Sequence, residues 1–430
     1  MPADTALTGS AIPPPQSLSR VIIAATIGNV LEWFDFLVYG YFAVTIAEVF
    51  FPIGNPVVSL LVTFGAFGLS YVVRPLGALI VGTYTDRHGR KAGLTLSIAM
   101  MMIGTTLMLV TPGYATIGIA APIAITLARL LQGFSVGGEF GSAVAFLVEH
   151  GSERKGYSAS WQWASTGIIS IIVALFGIVL TTELTHEQLV DWGWRIPYIF
   201  GLLVGPAGLY IRSQMTETPQ FLAAARPESV PLRDLLRRHP ISVLLAIGIS
   251  IISNSSYYLL LYIPTYGVKT LHLPASTGFI ATLVGGVILA IFSPAAGHWS
   301  DKTARPRIML WMGWLFLLSA YPVFWLMVAS PSLATAIFAV GLLNLIKAGY
   351  SGVLPSLLSE QFPVETRAVG VAFSYSISVT IFGGFAPFFA TWLIALTGDP
   401  LSPSYYLMFT AFLSVLALMA IERRAAPTSA

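Results

Sequence analysis

From residue 21 to residue 421 the chain passes through one long apolar run after another, with only short polar turns between them. A run of about 20 such residues, rising roughly 1.5 Å per residue as a helix, is as long as the hydrocarbon core of a bilayer is thick. In that medium every backbone N–H and C=O must be paired internally, so helices and closed barrels are the available structures. A barrel would show short strands alternating around a polar lumen, whereas the runs here are unbroken. Helices remain. Twelve candidate spans fall at approximately 21–50, 57–84, 92–111, 116–147, 158–182, 193–212, 240–265, 275–298, 307–328, 333–359, 368–396 and 404–421. Composition agrees: among 430 residues 56% are AVILMFWYC and 10% DEKR, against roughly 25% charged in a soluble domain. A water-soluble enzyme is thereby excluded. The chain has no cysteine, which excludes disulfides, thiolate metal sites and cysteine nucleophiles. Residues 1–19 contain Asp4 and the run Pro13, Pro14, Pro15; they lack the basic start and apolar core of a secretory signal and read as a disordered tail.

An even number of spans puts both termini on one face. Orientation follows the Lys and Arg of short loops, and Arg20, Arg87, Arg90, Lys91, Arg154, Lys155, Arg212, Arg226, Arg233, Arg237, Arg238, Lys302, Arg305, Arg307, Arg367, Arg423 and Arg424 all lie on the terminal side. That is seventeen of the 22 cations, so the termini are expected in the cytoplasm of a cell inner-membrane protein. The opposite side holds Lys269, with Arg195 near the start of the sixth span. The longest polar interval, 213–239, carries Pro219, Pro227 and Pro231 and divides the spans six and six. The expected organisation is a tail at 1–19, a six-helix half at 20–212, a cytoplasmic linker at 213–239, a second half at 240–422 and a tail at 423–430. An internal repeat supports the division: Gly82 to Lys91 after the second span is echoed by Gly297 to Arg305 after the eighth, and Glu149 at the end of the fourth by Glu360 at the end of the tenth. Two six-helix halves with a site at their mid-membrane interface is transporter architecture.

Six charges fall inside the spans: Glu32, Asp35, Arg74, Arg129, Glu139 and Lys347. Each costs about 2.5–3.5 kcal/mol at mid-helix on insertion scales, so they are expected to face a shared interior. At about 100° per residue Asn29, Glu32, Asp35 and Tyr39 share one stripe, and Arg129, Gln132 and Glu139 another. Asn254 with Tyr257 and Tyr258, and Asn344 with Lys347 and Ser351, do the same in the second half, which suggests an aqueous cavity lined by both halves. Arg74 lies about 18 Å from the end at Asp86, near the bilayer middle. There its planar fork suits a carboxylate, or an ion pair to Glu32 or Asp35. Asp35 and Arg129 read as a proton switch or as a static salt bridge, with Glu32 and Glu139 as rival proton carriers. Counting from the helix ends puts Asp35 and Arg129 at depths of about 22 and 30 Å, so they meet only if the fourth helix protrudes.

Gly82-Thr-Tyr-Thr-Asp86-Arg87-His-Gly89-Arg90-Lys91 matches the G-x-x-x-D-R-x-G-R-K signature between the second and third spans of the major facilitator superfamily. Arg129-Leu-Leu-Gln132-Gly133 resembles the fourth-span motif of its proton-coupled members. Gly28-Asn29-x-x-Glu32-Trp33-Phe34-Asp35-Phe36, Arg74-Pro75-x-Gly77, Gln132 through Glu139 and Gly193-Trp194-Arg195-Ile-Pro197 are similar to the metabolite:proton symporter family. Phe382-Gly383-Gly384 and Thr397-Gly398-Asp399 resemble its citrate and tricarballylate symporters. The resemblance covers residues 20–422 and implies the major facilitator fold, an all-α membrane protein of twelve helices in two six-helix halves. It implies proton-coupled import of carboxylates, or of zwitterionic osmolytes such as proline and betaine, by alternating access. It also places a substrate arginine at Arg74. Lys347 departs from the citrate pattern, which has an uncharged residue there.

The substrate contacts expected on this basis are Arg74, Arg129, Lys347, Asn254, Tyr257 and Gln162. Asp86, Arg87 and Arg90 with Glu149, repeated as Asp301, Arg305 and Glu360, are expected to form a cytoplasmic latch holding the outward-open state, or else simply to anchor the positive-inside topology. Gly133, Gly137, Gly138 and Gly141 permit close helix packing. There is no Walker motif, no Ser-His-Asp constellation and no metal spacing among the six histidines, so neither a primary pump nor an enzyme is expected, and no cofactor or nucleic acid is called for. The expected partners are a small organic anion, most simply a di- or tricarboxylate such as citrate, protons and the lipid bilayer. A single chain is expected to suffice. Export by proton antiport is the nearest rival in mechanism.

Overall fold

The computed structural model describes residues 18–88, 90–137, 139–151, 153–213, 232–363 and 366–425. Helices account for nearly all of them. The first span is Leu18–Tyr41 continued by Ala43–Phe50, the second Pro56–Val72 and Arg74–His88, the third Arg90–Val110, and the fourth Ala120–Ser135 and Glu139–His150. Lys155–Glu183 and Ile196–Ser213 complete the first half. In the second half the seventh span is Pro240–Leu261 with Ile263–Lys269, the eighth Ala275–Ser300, the ninth Arg305–Ala329, and the tenth Leu333–Ser351 with Leu354–Glu360. The eleventh runs Arg367–Ser378, a π-helical stretch Val379–Gly384, and Ala386–Thr397; the twelfth is Ser402–Ala425.

The expected tails need correction at their inner ends. Helix begins at Leu18 and continues through Arg423 and Arg424 to Ala425, where two cations at a helix C-terminus are favoured by its dipole. Part of the expected linker is also helical, as Leu232–Arg238; residues 214–231 lie outside the described residues. The first span, drawn from the sequence as one run, bends by 76° between Trp33–Tyr41 and Ala43–Phe50.

Breaks in the spans strand carbonyls that side-chain hydroxyls take up, in one case across the two halves. Pro75 has no N–H, so the carbonyl four residues earlier, that of Tyr71, loses its helical partner. Thr380 from the π-helical stretch of the eleventh span donates to that carbonyl at 2.9 Å, tying the second span to the other half. A π-turn at Phe382 would likewise need the N–H of Pro387, and the Tyr406 hydroxyl donates to the Phe382 carbonyl at 2.7 Å instead. Close packing fixes the depth of the second span. A Cβ on Gly133 would meet the Ser70 carbonyl, and one on Gly137 the Arg74 carbonyl and the Ala78 nitrogen. The fourth-span glycines thus let the backbone around Arg74 lie directly on that of the fourth span.

Both faces are closed. On the face where the eighth span turns into the ninth, Asp301 accepts hydrogen bonds from the backbone N–H of Gly156 at 2.7 Å and Tyr157 at 3.0 Å, and Phe140 stacks on Tyr375 with ring centres 3.5 Å apart. On the opposite face Glu48 pairs with Lys269 at 3.8 Å and with His186 at 3.0 Å, beside a cavity of about 400 Å³ lined by Glu48, Lys269, Pro52, Pro56, Ser59 and Leu60. Between the faces, where the polar stripes predict an aqueous cavity, Arg74, Arg129, Asn254, Asn344 and Lys347 are instead at most 6% exposed. The interior space beside Tyr257 and Asn344 is about 10 Å³, because aromatic rings close around the polar groups. The molecule is occluded.

Candidate functional site

The fold brings three of the expected substrate contacts inside, each on a bed of aromatic rings. The Arg74 guanidinium lies 4.1 Å over Tyr71, 4.6 Å over Trp33 and 5.0 Å over Phe36. Arg129 lies 4.0 Å over Phe36, 4.6 Å over Tyr39 and 5.1 Å over Phe67. Lys347 Nζ lies 4.2 Å over Tyr257 and 4.9 Å over Trp163. All three side chains are at most 3% exposed. A desolvated cation on an aromatic face gains about 2 kcal/mol, whereas the effective penalty for burying an ion is several kcal/mol. Stacking therefore leaves these cations undercompensated.

Their free donors point the same way. Among the described residues, Nε and Nη2 of both Arg74 and Arg129, and Nζ of Lys347, are buried without a hydrogen-bond partner. Nε and Nη2 form one edge of the guanidinium, the edge that grips a carboxylate with two parallel hydrogen bonds. Arg129 is held from its other side, with Nη1 donating to the Gln132 side chain at 2.8 Å and to the Phe36 carbonyl at 3.2 Å. The remaining expected contacts are less free. Gln162 donates to Asn29 at 2.9 Å, and Asn29 to Ser165 at 2.6 Å. Asn254 donates to Ser378 at 3.2 Å but leaves its carbonyl oxygen without a partner, as is the Tyr257 hydroxyl.

Asp35 and Arg129 do not meet as an ion pair. A chain of hydrogen bonds joins them instead: Arg129 donates to Gln132, the Gln132 amide to Thr105 Oγ1 at 3.1 Å, and the Thr105 hydroxyl to Asp35 Oδ2 at 2.8 Å. The other carboxylate oxygen, Oδ1, is buried and unpartnered. It lies against Gly201 of the sixth span, where any added Cβ would overlap it. The offset in depth that counting along the helices gives does not keep them apart, since the Arg129 side chain reaches the carbonyl next to Asp35. The side chains of Glu32 and Glu139, the rival proton carriers, lie outside the described residues.

Of the expected latch, the second-half members come together. Arg305 pairs with Asp301 at 2.9 Å and with Glu360. What they hold was not foreseen: Asp301 caps the start of the fifth span, Lys155–Glu183, in the other half. A carboxylate at a helix N-terminus is favoured by both free N–H groups and dipole. The side chains of Asp86, Arg87, Arg90 and Glu149 lie outside the described residues. Two hydrogen bonds to a charged group contribute about 1.5–3 kcal/mol each, while the Glu48–Lys269 pair, with each side chain about a third exposed, is worth about 0–1 kcal/mol. The opposite face is the weaker seal. Asp301→Ala should raise the population open on the Asp301 face by about tenfold or more, measured as maleimide labelling of a single cysteine at Ala159 in this cysteine-free chain. Unchanged labelling would remove Asp301 from the seal.

Sequence reasoning missed Thr105, Gly201, Trp163 and Thr380, each a neutral residue in an apolar run with nothing to distinguish it before the helices are packed. It also missed Glu48 as the partner of Lys269.

A closed bundle of two helical halves with buried cations in its interior, one of them on rings from both halves, defines a membrane carrier. The family model "Sugar (and other) transporter" matches residues 21–238 and 223–422, and the chain belongs to that family of the major facilitator superfamily, as a multi-pass membrane transporter. It is 35% identical over 410 residues to the citrate-proton symporter of Klebsiella pneumoniae, covering 94% of this chain and 92% of the relative. It is 34% identical over 416 residues to the proline/betaine transporter of Escherichia coli K12, covering 93% and 82%. A crystal structure of a D-xylose-proton symporter superposes with a TM-score of 0.73 over 94% of this chain and 97% of that one, at 17% identity. That last likeness bears on the fold alone.

Proposed function

We propose that the chain is a proton symporter that imports a small organic anion, a di- or tricarboxylate of the citrate type, by alternating access across the cell inner membrane. The observation that carries this reading is the pair of buried, unpartnered Nε–Nη2 edges on Arg74 and Arg129, together with the bare Nζ of Lys347. Each is an undercompensated cation, and a carboxylate supplies the missing charge and acceptors at once. Arg74 belongs to the first half and Lys347 to the second, so one polycarboxylate bound to both draws the halves together, as occlusion requires. The identity to a citrate-proton symporter is consistent with this substrate class.

The proton has a path into the same machinery. The Asp35 carboxylate accepts from Thr105, which accepts from Gln132, which accepts from Arg129. A proton on Asp35 removes the charge at the end of that chain and frees Arg129 to turn its edge toward an incoming anion. Proton and anion then tighten each other reciprocally, which is the thermodynamic condition for symport. The face bearing Asp301 and both termini is the cytoplasmic one on the strength of its cations, and the Glu48–Lys269 side faces the substrate supply. In proteoliposomes, an imposed acid-outside gradient should drive labelled citrate inward against its concentration, and citrate binding should tighten from about pH 8 to about pH 6 as linkage demands. Binding that is flat over that interval, or accumulation of proline and betaine with no carboxylate transported, would overturn the reading.

A further inference from the structure

Trp163 of the fifth span and Tyr257 of the seventh meet nearly edge to face, with ring centres 5.9 Å apart and planes at 75°. They make a two-walled corner contributed by both halves. Such a corner, with buried electron-rich faces turned inward, is the recognition chemistry for a quaternary ammonium head. In this chain the corner is already filled. Lys347 Nζ, from the tenth span, lies 4.2 Å from the Tyr257 ring centre and 4.9 Å from that of Trp163, is buried, and has no hydrogen-bond partner. The adjoining space, lined by Tyr257, Asn344, Tyr41, Ser170 and Thr282, amounts to about 10 Å³, too little to admit a second head group beside it.

We propose that Lys347 is a tethered occupant of an ammonium-binding corner formed by Trp163 and Tyr257, and that it sets the substrate class: it shuts out zwitterions with a quaternary ammonium head and offers the same Nζ to a carboxylate. The proposal deepens the organic-anion reading and rests on it for the second half of that statement. The physical logic is one of substitution. The side chain from Cγ to Nζ has four heavy atoms, as has a trimethylammonium group, so truncation to alanine opens a space of matching size between two rings that favour a cation. Lysine at this position is thus a selectivity device, since a cation held by the protein repels a cationic head and attracts an anionic one. Neighbouring polar groups do not duplicate the role. The Asn344 amide donates back to the Val340 carbonyl at 2.9 Å within its own helix, and the Tyr41 and Ser170 hydroxyls pair with each other at 3.1 Å.

The test uses the full-length purified carrier and three probes: citrate, glycine betaine, and 3,3-dimethylbutanoate, which replaces the betaine nitrogen by carbon and keeps the carboxylate. Binding is measured by calorimetry on protein shown to be monodisperse. Wild type should bind citrate and neither of the other two. Lys347→Ala should weaken citrate at least tenfold and bind betaine at least tenfold more tightly than dimethylbutanoate; adding Trp163→Leu should erase that ratio. Should Lys347→Ala aggregate, the same ratio is read on Lys347→Ser. Betaine binding by wild type, equal binding of betaine and its carbon isostere by the variant, or a ratio that survives Trp163→Leu would each overturn the proposal. A wild type that binds no carboxylate, with the ratio nevertheless appearing in Lys347→Ala, would sink the anion reading while leaving the occupied corner intact.

Discussion

Arg74→Lys is expected to lower the affinity for a di- or tricarboxylate by about 100-fold, although the substitution keeps the charge. The ammonium can still lie on Tyr71, Trp33 and Phe36, so the protein should fold. What disappears is the two-donor edge of Nε and Nη2, which is buried without a partner in the occluded molecule. Hydrogen bonds to a charged group are worth about 1.5–3 kcal/mol each, and losing one together with the planar fit accounts for roughly two factors of ten at about 1.4 kcal/mol per factor. Equilibrium binding of labelled citrate to the purified variant checks it. Affinity within about threefold of wild type would mean that Arg74 is a packing residue and that Arg129 or Lys347 carries the anion alone.

Asp35→Asn is expected to abolish accumulation driven by a pH gradient while leaving substrate exchange within a few fold of wild type. Asparagine has the shape of a protonated aspartate and can still accept from the Thr105 hydroxyl through its amide oxygen, so the chain through Gln132 to Arg129 survives. It carries no proton that can leave on the other side of the membrane. Concentrative uptake should fall at least tenfold, to the level set by equilibration, whereas counterflow of labelled against unlabelled citrate continues. Undiminished concentrative uptake would assign the proton to Glu32 or Glu139. Loss of both activities would mean that Asp35 is structural, and Gly201→Ala, which crowds Oδ1, should then be equally damaging.

The apolar runs and their number were legible without coordinates, because span length and backbone satisfaction in lipid are local requirements that each segment meets alone; the breaks inside them were not. The internal repeat exposed the two halves. The intramembrane charges stood out for the same reason: a buried arginine in an apolar run is costly wherever it points, so Arg74, Arg129, Asp35 and Lys347 could be singled out one at a time.

What these charges touch was decided by tertiary structure. Counting residues put Asp35 and Arg129 about 8 Å apart in depth, yet Arg129 donates to the Phe36 carbonyl. The interruption of the fourth span between Ser135 and Glu139 falls within the stretch counted for Arg129, and the long arginine side chain spans part of the remaining offset, neither of which a count along straight helices includes. Across the two halves the partner of Asp301 is a pair of backbone amides, which have no sequence signature at all. Thr380 became a link between the halves because Pro75 strands the Tyr71 carbonyl and the packing of the eleventh span brings a hydroxyl to it. Trp163 became the wall of an ammonium corner because the fifth, seventh and tenth spans converge there. A sequence specifies which groups must be satisfied inside the membrane; which of them satisfy one another depends on where helices cross, and that is a property of the packed bundle.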